Sequence, residues 1–206
     1  PIKSSAASDV YKRQELTLTG KSCGTKERAP MCGVPYHAAE TYLNRLVKKG
    51  YKVAICEQVE DPKLAKGIVK REVIRVVTPG TNTDMQSLDE GKNNYLMCIV
   101  YLTDKYGIAT TDVTTGDFFV TEVDSERKLL DELNRFAPSE IICNEPFYMS
   151  GVDIDDIKNR LNITISALDS WYFGDELAKE TLLSHFHIQS LIGLGLEDYD
   201  LSLIHI

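Results

Sequence analysis

Three apolar runs follow one another so closely in the middle of the chain that they favour antiparallel strands. YLMCIVYLT begins at residue 95, YGIATTDVT at residue 106 and DFFVTEV at residue 117. The connections between them, at Asp104-Lys105 and at Thr115-Gly116, are short hairpin signals. The sequence therefore predicts three antiparallel strands over residues 95–123.

Helix and strand patterns alternate after these strands. SERKLLDELNRF predicts a helix with Ser125 as its N-cap and Pro138 as its stop. Its apolar face consists of Leu129, Leu130, Leu133 and Phe136. SEIICN predicts a fourth strand, an acidic segment follows, NITISAL predicts a fifth strand, and DELAKETLLSHF predicts another helix. Together these elements predict a ribonuclease H-like fold.

The preceding part of the chain predicts a small mixed α/β unit. ELTLTG has the alternation of a short strand, and residues 20–35, rich in Gly, Pro, Ser and Lys, predict an ordered loop. Apolar residues at helical spacing predict a helix from His37 to Lys49 that ends at Gly50. YKVAICEQ predicts a buried strand, in which Cys56 packs in the core, and VKREVIRVVTP predicts a second strand with interleaved basic residues.

The charge changes sign along the chain. Residues 1–83 carry 15 Lys or Arg against 8 Asp or Glu, and the remainder carries 8 against 23. A basic half can approach phosphates, whereas an acidic half suits protein contacts.

We predict one domain over residues 15–83, a linker over 84–94 and a second domain over 95–200. Residues 1–14 and 201–206 resemble translated sequencing-adapter read-through and are expected to be non-native tails.

The remaining composition predicts a cytoplasmic protein without a membrane partner. No apolar run approaches the length of a membrane span. The five cysteines are scattered, without the close pairs of a zinc site, and are expected to be reduced thiols. The four histidines are not clustered at metal-ligand spacing.

Acidic residues near the predicted strands raise the alternative of a metal-dependent nuclease. Asp104, Asp112 and Asp117 lie on or beside the first three strands, and a two-metal nuclease needs acids that converge on shared ions. Asp104 and Asp117 lie in predicted turns, where aspartate is favoured for structural reasons. Only Asp112 is expected in mid-strand, so structural roles are favoured. No phosphate loop, nucleophile elbow or catalytic triad pattern is present.

Basic residues accompany a loop that contains two prolines. Met31 lies between Pro30 and Pro35. The surrounding cations are Lys21, Lys26, Arg28, Lys48, Lys49, Lys52, Lys66, Lys70, Arg71 and Arg75. An apolar side chain on a rigid loop among cations suits the minor groove of DNA, where phosphates position the protein and apolar atoms press on base steps. An ordinary solvated face explains these charges equally well.

One long stretch of the chain resembles the MutS family of DNA mismatch repair proteins. The matching residues are APMCGVPYHAAETYLNRLVKKGYKVAICEQVEDP, followed by REVIRVVTPGT. Residues 15–81 resemble the second half of the mismatch-recognition domain of that family. Residues 95 to about 200, including TTDVTTGDF and PSEII, resemble its connector domain.

The resemblance implies a role in binding double-stranded mismatched DNA. It assigns DNA contacts to Lys21, Pro30, Met31 and Arg71, with His37 and Lys66 as weaker candidates. The Phe-x-Glu motif that reads the mismatch in this family is absent from the sequence. For the full-length protein, the resemblance implies a homodimer at the bacterial nucleoid, a MutL-type partner, and ATP with magnesium. No catalytic residue or cofactor is expected in the present residues.

A divergent member of the family is the alternative. Such a protein would act in recombination or in translation quality control without reading mismatches.

Overall fold

The fold was examined in a computed structural model, which describes residues 18–22, 28–32, 36–61, 64, 67, 69–84, 88 and 91–196. The chain divides into two compact units between Val77 and Thr78.

The first unit contains a two-stranded antiparallel hairpin. Strand β1 spans Leu18–Ser22 and β2 spans Arg28–Cys32, with Gly20 opposite Pro30. The prediction of a loop over residues 20–35 is therefore wrong for β2. Proline is tolerated in edge strands because it does not have to donate to a neighbour, and both strands of a two-stranded sheet are edges.

The predicted helix of the first unit is present as α1, Ala39–Lys48, and follows a short 3-10 turn at Tyr36–Ala38. The helix ends just before Gly50, as predicted from the sequence. Gly50 has φ of 82°, and its N–H donates to the carbonyl of Val47 (2.8 Å) while that of Tyr51 donates to Leu46 (3.1 Å). This pair of bonds is a Schellman motif, which satisfies carbonyls that the end of a helix leaves open.

Strands β3 (Val53–Gln58) and β4 (Arg71–Val77) pair in antiparallel fashion, with a bulge between Ile55 and Cys56. Val53 and Ile55 are half-buried in a cluster with Val77 and with residues of α1. Cys56, in contrast, is exposed, so the prediction that β3 is buried and that Cys56 packs in the core is wrong. Successive side chains of a strand point to opposite faces, and the cluster with α1 covers one face of this ribbon.

The second unit is built on a five-stranded sheet. Its strands are β5 (Tyr95–Leu102), β6 (Lys105–Asp112), β7 (Asp117–Val123), β8 (Glu140–Asn144) and β9 (Thr164–Leu168). The order is β7-β6-β5-β8-β9, with β5, β6 and β7 antiparallel and with β8 and β9 running parallel to β5. The predicted ribonuclease H-like fold is confirmed.

Two turns of this sheet differ slightly from the prediction. The first hairpin turns at Thr103 and Asp104, one residue earlier than predicted, and both residues have positive φ (50° and 60°). Positive φ at both central residues is the geometry that suits a two-residue hairpin. Asp112 is the last residue of β6 and does not lie in mid-strand.

Three helices complete the second unit: α2 (Glu126–Phe136), α3 (Ile154–Leu161) and α4 (Asp175–Phe186). Ser125 occupies the N-cap position of α2, as predicted, but its side chain makes no capping bond. Helix α3 was not predicted. It falls in the acidic segment, where the Asp153 side chain accepts a hydrogen bond from the N–H of Asp156 (2.9 Å) and so caps the helix.

The core of the second unit lies between the sheet and helices α2 and α3. Its fully buried members include Met97, Ile99, Ile108, Leu129, Leu133, Ile141 and Phe147. A smaller cluster joins α4 and the segment after it to β7 through Leu182, Leu191, Leu196 and Val120. The sheet therefore has apolar packing on both faces.

Candidate nucleic-acid interface

The six residues predicted to contact DNA belong to the first unit, but the structure describes them unequally. Strand β1 carries Lys21, and β2 carries Pro30 and Met31, so these residues lie on two paired backbones. Their side chains lie outside the described part of the structure, and Lys66 lies outside it altogether.

The two remaining candidates are exposed. His37 lies in the 3-10 turn that leads into α1, and Arg71 is the first residue of β4, opposite Gln58. Among the described residues, no carboxylate forms an ion pair with Arg71. Its guanidinium is therefore available to an anion from solution.

Two cations near Arg71 already have acidic neighbours. Lys70 Nζ lies 2.6 Å from Glu72 Oε1, and Arg75 Nη1 lies 4.0 Å from Glu40 Oε1. Exposed pairs of this kind contribute little to stability and are screened by salt. Within the described residues of β4, Arg71 is consequently the strongest candidate for a phosphate contact.

The described cations are spread over both ends of the ribbon of β3 and β4. The contact between Arg75 and Glu40 lies near the middle of the ribbon, since Arg75 pairs with Ile55, whereas Arg71 pairs with Gln58 at one end. Lys48 ends α1, and Lys49 and Lys52 lie between this helix and Val53, which pairs with Val77 at the other end. Six residue steps of a strand span about 20 Å. The described basic residues therefore do not form the single cluster around the loop that the sequence suggested.

Strand β4 also exposes several apolar side chains, a feature that sequence reasoning missed. Val73, Ile74 and Val76 are each more than half exposed. Their β-branched side chains predicted a strand, but the sequence did not indicate which of these side chains would be buried by neighbouring elements. Contiguous exposed apolar residues are typical of an interaction surface.

The acidic residues of the second unit have structural partners. Asp112 is completely buried, and its carboxylate accepts hydrogen bonds from the N–H of Asn94 (2.9 Å), the N–H of Thr114 (2.8 Å) and the hydroxyl of Thr114 (2.6 Å). Burial acts to raise the pKa of Asp112, but these hydrogen bonds outweigh it and leave the pKa below its ordinary value. The ionised carboxylate therefore anchors the turn after β6.

The other two acids of the nuclease alternative also hold neighbouring side chains. Asp104 Oδ1 accepts a hydrogen bond from the Tyr101 hydroxyl (2.7 Å), and Asp117 Oδ2 accepts one from Asn93 Nδ2 (3.1 Å). In the part of the chain that the structure describes, no three His, Cys, Asp or Glu residues are grouped to hold a metal ion. These three acidic residues therefore form hydrogen bonds that stabilise the turns of the sheet.

We expect Asp112→Asn to lower the free energy of unfolding of the second unit by about 1–3 kcal/mol at neutral pH, because the amide nitrogen would face a buried N–H donor. Since the folded-state pKa is depressed, the contribution of the carboxylate is present above its unfolded pKa and is lost as the pH falls through the folded pKa. Urea unfolding of both proteins at several pH values measures this. If Asp112→Asn lowered the free energy of unfolding equally at neutral and at strongly acidic pH, the stabilising group would not be the ionised carboxylate.

None of the helices within the described ranges has the length and apolar character needed to cross a membrane.

Comparison with known proteins assigns both units to one family. Residues 4–86 match the family model of MutS domain I, and residues 94–204 match that of MutS domain II. The chain is 61% identical over 188 residues to the DNA mismatch repair protein MutS of Lachnoclostridium phytofermentans, covering 91% of this chain and 20% of that protein. The protein of the same name from Ruminiclostridium cellulolyticum is 51% identical over 191 residues, covering 91% of this chain and 22% of the relative.

A third relative, the DNA mismatch repair protein MutS of Clostridium tetani, is 46% identical over 205 residues, which cover 96% of this chain and 22% of the relative. The chain spans about a fifth of the length of the curated relatives that it matches. With both domain matches in sequence order on a fold that fits them, the chain belongs to the MutS family of DNA mismatch repair proteins.

Proposed function

We propose that the chain acts in DNA mismatch repair. Its first unit would bind mispaired duplex DNA, and its second unit would couple DNA binding to the rest of the full-length protein. The observation that carries this proposal is the ordered match to MutS domains I and II. The relatives are all named DNA mismatch repair proteins, which supports mismatch repair over recombination or translation quality control.

The DNA contacts are proposed for Lys21, Pro30, Met31 and Arg71, with weaker contributions from His37 and Lys66. The paired backbones of β1 and β2 support this role, because a paired strand holds its residues in fixed register. Cations would position the duplex through its phosphates, while apolar atoms press on base steps in the minor groove. In the full-length protein, which would also carry the Phe-x-Glu motif, mispaired DNA would be preferred because it is easier to deform.

The second unit is proposed as the connector to partners. Its acidic balance disfavours phosphate and suits protein contacts, including those with a MutL-type repair protein. We further propose that the full-length protein is a homodimer at the nucleoid in the cytoplasm. ATP and magnesium are proposed to act in parts of the full-length protein beyond the fifth of the relatives' length that this chain spans.

A salt titration on matched and mispaired duplexes tests the proposal. We expect the present chain to bind both duplexes weakly and with equal affinity, because the Phe-x-Glu motif is absent from its sequence. We expect Arg71→Ala to weaken binding to both equally and to lower the slope of log affinity against log salt by about one, as one lost phosphate contact requires.

The matched control is Arg127→Ala, which removes an exposed arginine of the second unit. It should leave both the affinity and the slope unchanged. Clear discrimination between the duplexes by this chain, or an equal effect of the two substitutions, would refute the assigned roles.

A further inference from the structure

The second unit contains a crevice where its chain connections diverge. After β5 the chain turns to β6 on one side, and after β8 it crosses to β9 on the other. In open α/β sheets, ligands bind beyond the carboxyl ends of the strands at such a switch point. A cavity of about 290 Å³ lies at this place. Its lining includes Val100, Leu102, Asn144, Glu145, Pro146 and Phe173.

The side chain of Asn144 accounts for the opening between β5 and β8. Backbone pairing of these strands reaches Ile99 and Cys143. Beyond that point, Asn144 Nδ2 donates to the carbonyl of Tyr101 (3.0 Å), and Asn144 Oδ1 accepts from its N–H (3.1 Å). Because a side chain takes the place of the next backbone pair, the strands separate while their polar groups remain satisfied.

Aromatic side chains stand beside the cavity. Ser170 and Phe173 line it, and the two residues between them, Trp171 and Tyr172, are 62% and 48% exposed. The rings of Trp171 and Tyr172 are stacked, with centroids 3.6 Å apart and planes inclined by 27°. Exposed tryptophan and tyrosine held in a fixed arrangement are typical of interface hot spots.

Among the described residues that line the cavity, the one that is charged is acidic, which favours a cationic ligand. Glu145 is exposed at the rim, and no described lysine or arginine forms an ion pair with it. Asp169 adjoins the aromatic pair, where its Oδ2 lies 3.4 Å from Trp171 Nε1. A mostly apolar lining with one carboxylate at the rim complements an apolar stem that ends in a positive charge.

We propose that this crevice binds an arginine side chain presented by a protein partner. Its volume lies just below the range of small-molecule pockets, about 300–1,000 Å³, and so suits a single long side chain. The stem would pack on Val100 and Leu102, with the guanidinium toward Glu145. A guanidinium also stacks on aromatic rings and is less strongly hydrated than an ammonium, which favours arginine over lysine. The site belongs to the second unit alone, and its test does not depend on DNA binding.

Trp171 is the one tryptophan of the sequence, so its fluorescence reports on this site. The probe is a blocked Leu-Arg-Leu peptide, and its matched control carries citrulline, which has nearly the same shape without the charge. We expect saturable change in Trp171 emission with the arginine peptide and about tenfold weaker binding of the citrulline peptide, as loss of one charged hydrogen bond implies. Glu145→Gln should abolish that difference without changing the melting temperature.

Equal binding of the two peptides would overturn the proposal. So would the absence of a fluorescence response to either peptide at about 20 mM, a concentration at which a site of millimolar affinity is saturated. So would self-association of the chain that Trp171→Ala abolishes, because the surface would then serve a second copy. Retention of the charge preference in Glu145→Gln would likewise overturn the assignment of the guanidinium to that carboxylate.

Discussion

Leu133→Ala is expected to lower the free energy of unfolding of the second unit by about 2–5 kcal/mol. Leu133 is completely buried in α2, in the same cluster as Met97 and Ile99 of β5. The substitution removes apolar atoms from the core and leaves a cavity, which the closely packed neighbours can fill only in part. Urea unfolding followed by circular dichroism measures the loss.

Leu130→Ala is the matched control, since it makes the same chemical change one turn away from the buried position. Leu130 is half-buried and packs at the margin of the cluster. It should lose less than half as much stability as Leu133→Ala. Since alanine is at least as good a helix former as leucine, neither loss can come from helix propensity. Similar losses in both variants would therefore contradict a core that is packed most closely at Leu133.

The second unit was largely predictable because its signals are local. The apolar face of α2 follows a helical period, and its two buried residues, Leu129 and Leu133, are among the four that this period predicted. The short connections around β6 required neighbouring antiparallel strands. The apolar residues of α3, Ile154, Ile157 and Leu161, do follow a helical spacing. The helix was missed because eight residues make little more than two turns, too short for the spacing to establish a period.

The first unit was predicted less well because its burial depends on what lies across each face. The pattern of β3 identified a strand, yet Cys56 on that strand is exposed while Ile55 is half-buried. Pro30 argued for a loop, but in a two-stranded ribbon it occupies a strand position. Local sequence gives an element its type, whereas the number of its neighbours decides which residues are covered.

The candidate sites depend still more on contacts between distant residues. The resemblance supplied the DNA-binding candidates, but the separation of Arg71 from the lysines after α1 follows from the pairing of β3 with β4. The crevice beside Trp171 requires three segments to meet at one end of the sheet. Residues such as Leu102 and Glu145 carry no motif, so their sequence context gave no indication of a site.

The VTPGT segment is the clearest case of a contact that sequence order conceals. It was placed at the end of the first predicted domain, but Asn94 Nδ2 donates to the carbonyls of Pro79 (3.0 Å) and Asn82 (3.1 Å). The N–H of Gly80 donates to Glu140 Oε2 (3.1 Å), and Glu140 is buried at the start of β8. These bonds fix residues 79–82 within the second unit, which begins directly after Val77.

Gly80→Ala is therefore expected to destabilise the second unit by about 2–4 kcal/mol, through overpacking together with strain on a buried hydrogen bond. A Cβ at Gly80 would lie 3.0 Å from both Cβ and Cδ1 of Leu96 and 3.1 Å from Cβ of Glu140. Two of these atoms adjoin the backbone of neighbouring strands, so they can move only if β5 or β8 shifts. Since Gly80 does not lie in the left-handed region, the alanine adds no strain from positive φ to this loss.

Gly193→Ala provides the comparison, because a Cβ there meets no atom within 4 Å and the backbone is likewise outside the left-handed region. It should melt within a degree or so of the unsubstituted chain, as expected of surface changes that touch no buried group. Thermal melting of both variants, with hydrogen exchange of β5 and β8, separates a local from a global loss. If Gly80→Ala melts like Gly193→Ala, then VTPGT is not packed between Leu96 and Glu140, and the link between the units begins later than Val77.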